Sequence, residues 1–131
     1  MKITSVIARF LLGLIFLVFG LNGFLNFLSM PAPTGVAGQF LGALFVSHFL
    51  IVIFLIQLIG AVLLLINRYV PLALTLLAPI IVNILLFHLS MAPSGLPLAI
   101  IVTVLWVLVF LSVRSAFSGL WQQRVAAQEL R

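Results

Sequence analysis

The chain has 131 residues, 66% of them hydrophobic, and only six basic residues and one acidic residue carry a formal charge. A water-soluble domain draws about a quarter of its residues from Asp, Glu, Lys and Arg, so a chain with 5% charged residues is excluded from that class and its expected solvent is a bilayer. The net charge of +5 does not mark a nucleic-acid binder, because Lys2, Arg9, Arg68, Arg114, Arg124 and Arg131 stand singly between apolar runs and form no basic stripe.

In chain order, charge-free apolar runs cover Phe10–Leu28, Ser47–Ile66, Pro71–Leu89 and Pro97–Val113. They predict membrane spans over about 8–28, 47–66, 71–89 and 97–115, in a membrane domain of residues 1–117 followed by a short tail, 118–131. At 1.5 Å per residue such runs reach roughly 26–30 Å, the thickness of a hydrocarbon core. Backbone groups in lipid must pair internally, and no strand-like alternation is visible, so the runs are expected to be helices. The first run is too long for a secretory leader and no small-x-small cleavage site follows it, so it reads as an uncleaved span.

The connection after the first span is itself apolar. Joined to the second span it would form a helix of about 45 Å, too long for an untilted crossing. A short outer interfacial helix that breaks near Ser47-His48 fits the length better; the alternative is one long tilted helix. Gly38-Gln39-Phe40-Leu41-Gly42 within it has the small-xxx-small spacing that permits close helix approach. Asn67-Arg68-Tyr69-Val70 makes a tight hairpin to the third span, where Pro71 suits the first turn and Pro79 frees the Thr75 carbonyl, predicting a kink. The expected architecture is therefore an all-α polytopic membrane protein, a bundle of four transmembrane helices. Four crossings place every basic residue on one side and leave Ser29–Val46 and Ser90–Leu96 uncharged on the other, so both termini are expected in the cytoplasm.

Two stretches echo one another. Leu28-Ser29-Met30-Pro31-Ala32-Pro33-Thr34-Gly35 resembles Leu89-Ser90-Met91-Ala92-Pro93-Ser94-Gly95, and Asn22 and Asn83 each lie seven residues before the Ser-Met pair. Two parallel hairpins related by an axis along the membrane normal would give this pattern, with both asparagines ~10 Å inside the outer connections.

Polar residues inside spans are where membrane function concentrates. Asn22, Asn26, Asn83, His48 and His88 fall in the outer half and Gln57 near mid-depth. Asn22 and Asn26, four apart, are expected on one helix face. With Asn83, Gln57 and His88 they define a candidate ligand-binding pocket able to hydrogen-bond a quinone oxygen, a water chain or a neutral solute. The competing reading is interhelical glue. Phe16, Phe19, Phe24 and Phe27 offer an aromatic groove for an isoprenoid tail, or simple packing. His48 and His88 raise haem or metal ligation, but no carboxylate stands near to orient an imidazole, so no metal site is expected. Nor are catalytic residues: Asp is absent, Glu129 lies in the tail, and without cysteine there is no thiolate chemistry.

Arg9-Phe10-Leu11-Leu12-Gly13-Leu14-Ile15-Phe16 with Phe19-Gly20-Leu21-Asn22, then Gly60–Leu65 with Arg68, Ala78-Pro79-Ile80-Ile81-Val82-Asn83 and Phe87-His88-Leu89, resemble a bacterial branch of the DoxX-like membrane proteins over roughly residues 5–115. The resemblance implies a four-helix membrane bundle in a bacterial cytoplasmic (inner) membrane. It also implies an association with subunits of a thiosulfate:quinone oxidoreductase or with anchors of oxidative-stress complexes. Where the family commonly carries a helix-one lysine and a helix-two glutamate, this chain has Gly23 and Gln57, which weakens the transfer of quinone-reducing chemistry. Three readings follow. The first is a non-catalytic anchor or accessory subunit of a membrane redox complex, with a soluble or membrane oxidoreductase as partner and no cofactor of its own. The second is a binder or carrier of a small hydrophobic, quinone-like or neutral ligand, with transport requiring a homo-oligomer. The third is a haem or metal protein using His48 and His88.

Overall fold

The computed structural model describes residues 2–127. Among these there are only helices and connections: α1 (Lys2–Leu25), α2 (Gly35–Val46), α3 (Phe49–Leu65), α4 (Val70–Ser90) and α5 (Leu96–Val113). One-turn 3₁₀ structure at Pro93–Gly95 leads into α5, and a longer 3₁₀ segment, Arg114–Trp121, follows it. Three segments are long and apolar enough to cross a membrane, namely α1, α4 and α5 with its flanking turns. A fourth is reached if α2 and α3 count as one broken span. By itself α3, with 17 residues, extends ~26 Å, at the lower limit for a crossing.

The helices α1, α3, α4 and α5 pack as a ring in which each touches the next and α5 closes onto α1. The tightest pair is α1 with α3. Gly13, Gly20 and Gly23 present a groove on α1 that receives Leu65, Leu58 and Phe54 of α3 in turn, and the falling numbers on α3 show that the helices run antiparallel. Without side chains at those positions the backbones approach closely, the source of attraction between helices where no hydrophobic effect operates. On the next interface Gly60 receives Leu77 of α4.

The side chains most completely enclosed are Leu12, Leu64, Leu74, Leu77 and Val109, joined in one core by Ala8, Phe16, Ala61, Ala73 and Val102. Most of these lie toward the end of the bundle that holds Lys2 and Val113, with Phe16 and Val102 just past mid-length. Large apolar side chains such as Leu14, Val18, Ile59, Val82, Ile101 and Val104 are exposed around the outside.

The expected break at Ser47-His48 is present. The axes of α2 and α3 differ by 86°, and His48 takes the left-handed backbone conformation (φ 63°) at the corner. One long tilted helix is therefore ruled out. The small-xxx-small pair in α2 does not bring a helix close: a Cβ on Gly38 would collide with the Pro33 carbonyl of its own entry turn, and Gly42 faces open space. Instead Phe40 reaches α4 by packing on Phe87, ring centroids 5.9 Å apart.

Helix ends differ from the sequence expectation in one important place. The first helix stops at Leu25, not near residue 28. Asn26 turns left-handed (φ 50°) and its N–H donates to the Asn22 carbonyl at 2.9 Å, the single-bond left-handed C-cap. The hairpin between α3 and α4 uses the same device more fully. Asn67 (φ 55°) donates to Leu64 O and Arg68 N–H to Leu63 O, both bonds of a Schellman motif.

Candidate functional site

The polar residues singled out by sequence do not converge. Asn22 is buried at the end of α1, where its Oδ1 accepts the Leu28 N–H at 2.7 Å. With its main-chain carbonyl occupied by Asn26, both oxygens of this residue hold the chain as it leaves the helix. Asn26 is exposed and no longer helical, so the two asparagines do not share a helix face; the helix-face expectation fails because the left-handed cap intervenes between them.

Asn83 is exposed on α4. It lies nine residues from the enclosed Leu74, about 180° around the helix, and its Nδ2 donates to the Pro79 carbonyl one turn back at 2.8 Å. Asn22 therefore points into the bundle and Asn83 away from it. Nor do the echoed strings match in conformation. The first helix ends three residues after Asn22, whereas α4 continues seven residues beyond Asn83 to Ser90. They share an end of the bundle, not a local structure.

Gln57 is buried, and its Nε2 donates across the α1–α3 interface to Phe16 O at 3.4 Å, beside Gly20. At that length the bond is at the weak limit of geometry. It is the one sequence-predicted site residue that does join two ring helices. His88 is half-buried. Its Nδ1 lies 3.0 Å from Ala92 O, and because a carbonyl only accepts, this nitrogen carries the proton. The Cε1 edge of the imidazole fills the space that any side chain on Gly95 would occupy, so it closes the α4–α5 connection. His48 is exposed at the α2–α3 corner, apart from these contacts. Among the described residues no three His, Cys, Asp or Glu side chains gather in a metal-binding arrangement.

The carbonyl freed by Pro79 is that of Thr75, whose hydroxyl donates to Pro71 O at 2.9 Å, and α4 stays helical through the proline. Trp106 makes a tether between helices: its indole N–H donates to Leu74 O across the α4–α5 interface at 3.0 Å. It stacks on Phe110 at 5.3 Å.

The end of the bundle that holds Asn22 does contain a pocket, of about 190 Å³, where the end of α1 meets the α2–α3 corner. Phe24, Phe45 and Phe54 supply aromatic walls, Gly23 its floor, and His48 its one titratable group. None of the three asparagines lines it. Sequence reasoning named Phe24 as part of an apolar groove but missed Phe45 and Phe54, whose convergence depends on the sharp corner at His48.

Arg9 was read only as a positive charge marking the inner side. In the structure its guanidinium folds across to the end of α3, where Nη1 donates to the carbonyls of Leu64 and Leu65. The final carbonyls of a helix have no partner within it, and Arg9 supplies one where the Schellman turn leaves Leu65 unserved. A signal existed in retrospect: an arginine at the threshold of an apolar run has a stem long enough to reach a neighbouring helix end. No protein-family model, curated protein or solved structure matches the chain.

Proposed function

We propose that the chain is a four-crossing protein of a bacterial inner membrane, with both termini on the cytoplasmic side. In this reading it serves as a non-catalytic, DoxX-like anchor or accessory subunit for a membrane redox complex. One observation carries the scaffold part. The buried amide of Gln57, the indole of Trp106 and Nη1 of Arg9 each donate to a main-chain carbonyl of a neighbouring helix, while buried Asn22 holds the chain leaving α1 and the exterior is apolar. Polar groups spent this way hold helices in register. The redox association comes from the resemblance in the opening helix and is a proposal about partners.

Topology is testable with unusual cleanliness because the chain has no cysteine. Ser94→Cys should react with a membrane-impermeant maleimide from outside intact cells and Gln123→Cys only after permeabilisation; the reverse labelling removes the orientation. For the anchor role, deletion of the gene should release an oxidoreductase activity from the membrane to the soluble fraction, and re-expression should return it. Unchanged partition of every quinone- and thiol-linked activity defeats the reading.

The aromatic pocket favours a second reading, in which a quinone-like or other apolar ligand lies at the α2–α3 corner with its polar group at His48. Native mass spectrometry should then show a retained ligand that Phe54→Trp displaces and Asn83→Leu does not.

A further inference from the structure

The other cavity lies at the opposite end of the bundle. It has a volume of about 130 Å³ and sits where the start of α1, the α3–α4 turn, the start of α4 and the end of α5 meet. Ser5, Arg9, Asn67 and Ser112 give it polar walls; Val70 and Val109 form part of the apolar base. The antiparallel ring places Lys2, Arg68 and Arg114 at this same end.

Arg9 is half-buried there. Its Nη1 is taken up by the two α3 carbonyls, which leaves the N–H groups of Nε and Nη2 as donors of the guanidinium fork. Helix-end carbonyls offset part of its charge through the dipole, but no carboxylate stands among the described residues, because the single acid of the chain is Glu129. The Phe10 ring, 4.8 Å from Arg9 Cζ, stabilises the cation further, but a partly desolvated cation with no counter-ion among the described residues is still costly, and the remaining fork matches a planar pair of oxyanion oxygens. Each of the two hydroxyls gives its proton to a carbonyl, Ser5 Oγ to Lys2 O at 3.0 Å and Ser112 Oγ to Val109 O at 2.6 Å, and rotation about the C–O bond redirects that one proton to an incoming anion.

We infer that this inner-end cavity is a binding site for a phosphate group, with Arg9 as its charged clamp and Ser5, Asn67 and Ser112 as neutral contacts. Basic pockets between helices on the cytoplasmic face are where lipid phosphates are held, and free phosphate offers the same oxygens. The site stands whether or not the chain anchors a partner.

The test uses the full-length protein, delipidated in a sugar-headgroup detergent, with thermal unfolding followed at constant ionic strength. Dioleoyl phosphatidylglycerol, dioleoylglycerol (the same tails without phosphate) and inorganic phosphate against chloride are the probes. Phosphatidylglycerol is expected to stabilise well beyond dioleoylglycerol; if inorganic phosphate does so too, the source is soluble, and if it does not, the source is a lipid headgroup. Equal effects of both lipids together with no effect of phosphate overturn the inference. Ser112→Leu fills the cavity while leaving the Arg9 cap on α3 in place, and should weaken the responding probe by about tenfold or more, the worth of a charged hydrogen bond. An undiminished response in that folded variant overturns it as well. Glu129→Gln should leave the response unchanged; an apparent affinity that rises on this substitution would show the tail carboxylate to be the natural occupant, and would refute a phosphate site.

Discussion

Adding one methyl group at Gly23 provides the sharpest test of the α1–α3 groove. A Cβ built there would stand 2.5 Å from Cε2 and 2.6 Å from Cγ of Phe54, against the 3.5–4.0 Å of an ordinary carbon contact. Because Cγ is involved, rotation about the outer torsion cannot relieve the clash; the ring must change its first torsion or α3 must retreat. Overpacking of this kind costs about 1–3 kcal/mol, and the upper half applies here because the ring also contacts Phe24, centroids 6.1 Å apart, on the same helix. Exchanging Gly for Ala in a helix returns up to about 1 kcal/mol, so the net loss for Gly23→Ala is about 1–2 kcal/mol. Gly42→Ala is the matched control, since that position is helical and faces open space; it should gain up to about 1 kcal/mol. The two variants should therefore differ by about 2–3 kcal/mol, a factor of roughly 30–150 in the unfolding equilibrium. Reversible unfolding in mixed micelles measures both. Phe54→Leu in the Gly23→Ala background should recover at least half of the loss, as a double-mutant cycle would report for neighbours in contact. Equal stabilities of the two alanine variants, or strict additivity with Phe54→Leu, would refute the steric account of the groove.

Other substitutions separate structural bonds from incidental ones. Arg9→Leu removes the cap of α3 and should cost about 1.5–3 kcal/mol in the same unfolding assay, the range for a charged hydrogen bond. Asn22→Leu should cost about 1–3 kcal/mol by leaving the Leu28 N–H without its acceptor, and amide exchange at Leu28 should accelerate; Asn83→Leu, on the exposed face, should change stability by less than about 0.5 kcal/mol. Gln57→Leu should lose no more than about 0.6 kcal/mol, since its 3.4 Å bond is weak and Phe16 O keeps its place in the helix ladder; a loss above 2 kcal/mol would show that this amide carries the interface.

The apolar runs made the ring helices legible because a hydrocarbon solvent sets their length, and the same length arithmetic located the corner at Ser47-His48. Which way each side chain faces was not legible. In this chain the exposed and enclosed positions are both apolar, as Leu72 and Leu74 illustrate on opposite faces of α4, so the contrast that identifies the buried face of a soluble helix is missing. Asn83 could be assigned to the interior only by analogy with Asn22, and the analogy failed. The early end of α1 was hidden for another reason: it depends on Asn26 adopting a left-handed backbone and on an Asn22 side chain that reaches forward six residues. Arg9 escaped notice because its acceptors are main-chain carbonyls, which no residue pattern announces. Glycine was an uneven guide: Gly38 and Gly42 have the spacing of a close approach yet meet no other helix, whereas Gly13, Gly20 and Gly23 line the real one along α1.

The placement of the core toward one end has a consequence for how the bundle comes apart. Leu12, Leu64, Leu74 and Val109 interlock near the Arg9 cap, while the far end carries Asn22, an aromatic pocket and a corner with few neighbours. Protection against amide exchange should then vary with depth more than from helix to helix, so that the least and most protected amides belong to the same α-helix. The cooperative unit of opening would be a slab cut across all four ring helices, fraying like a brush from its loose tip while the bound handle stays closed.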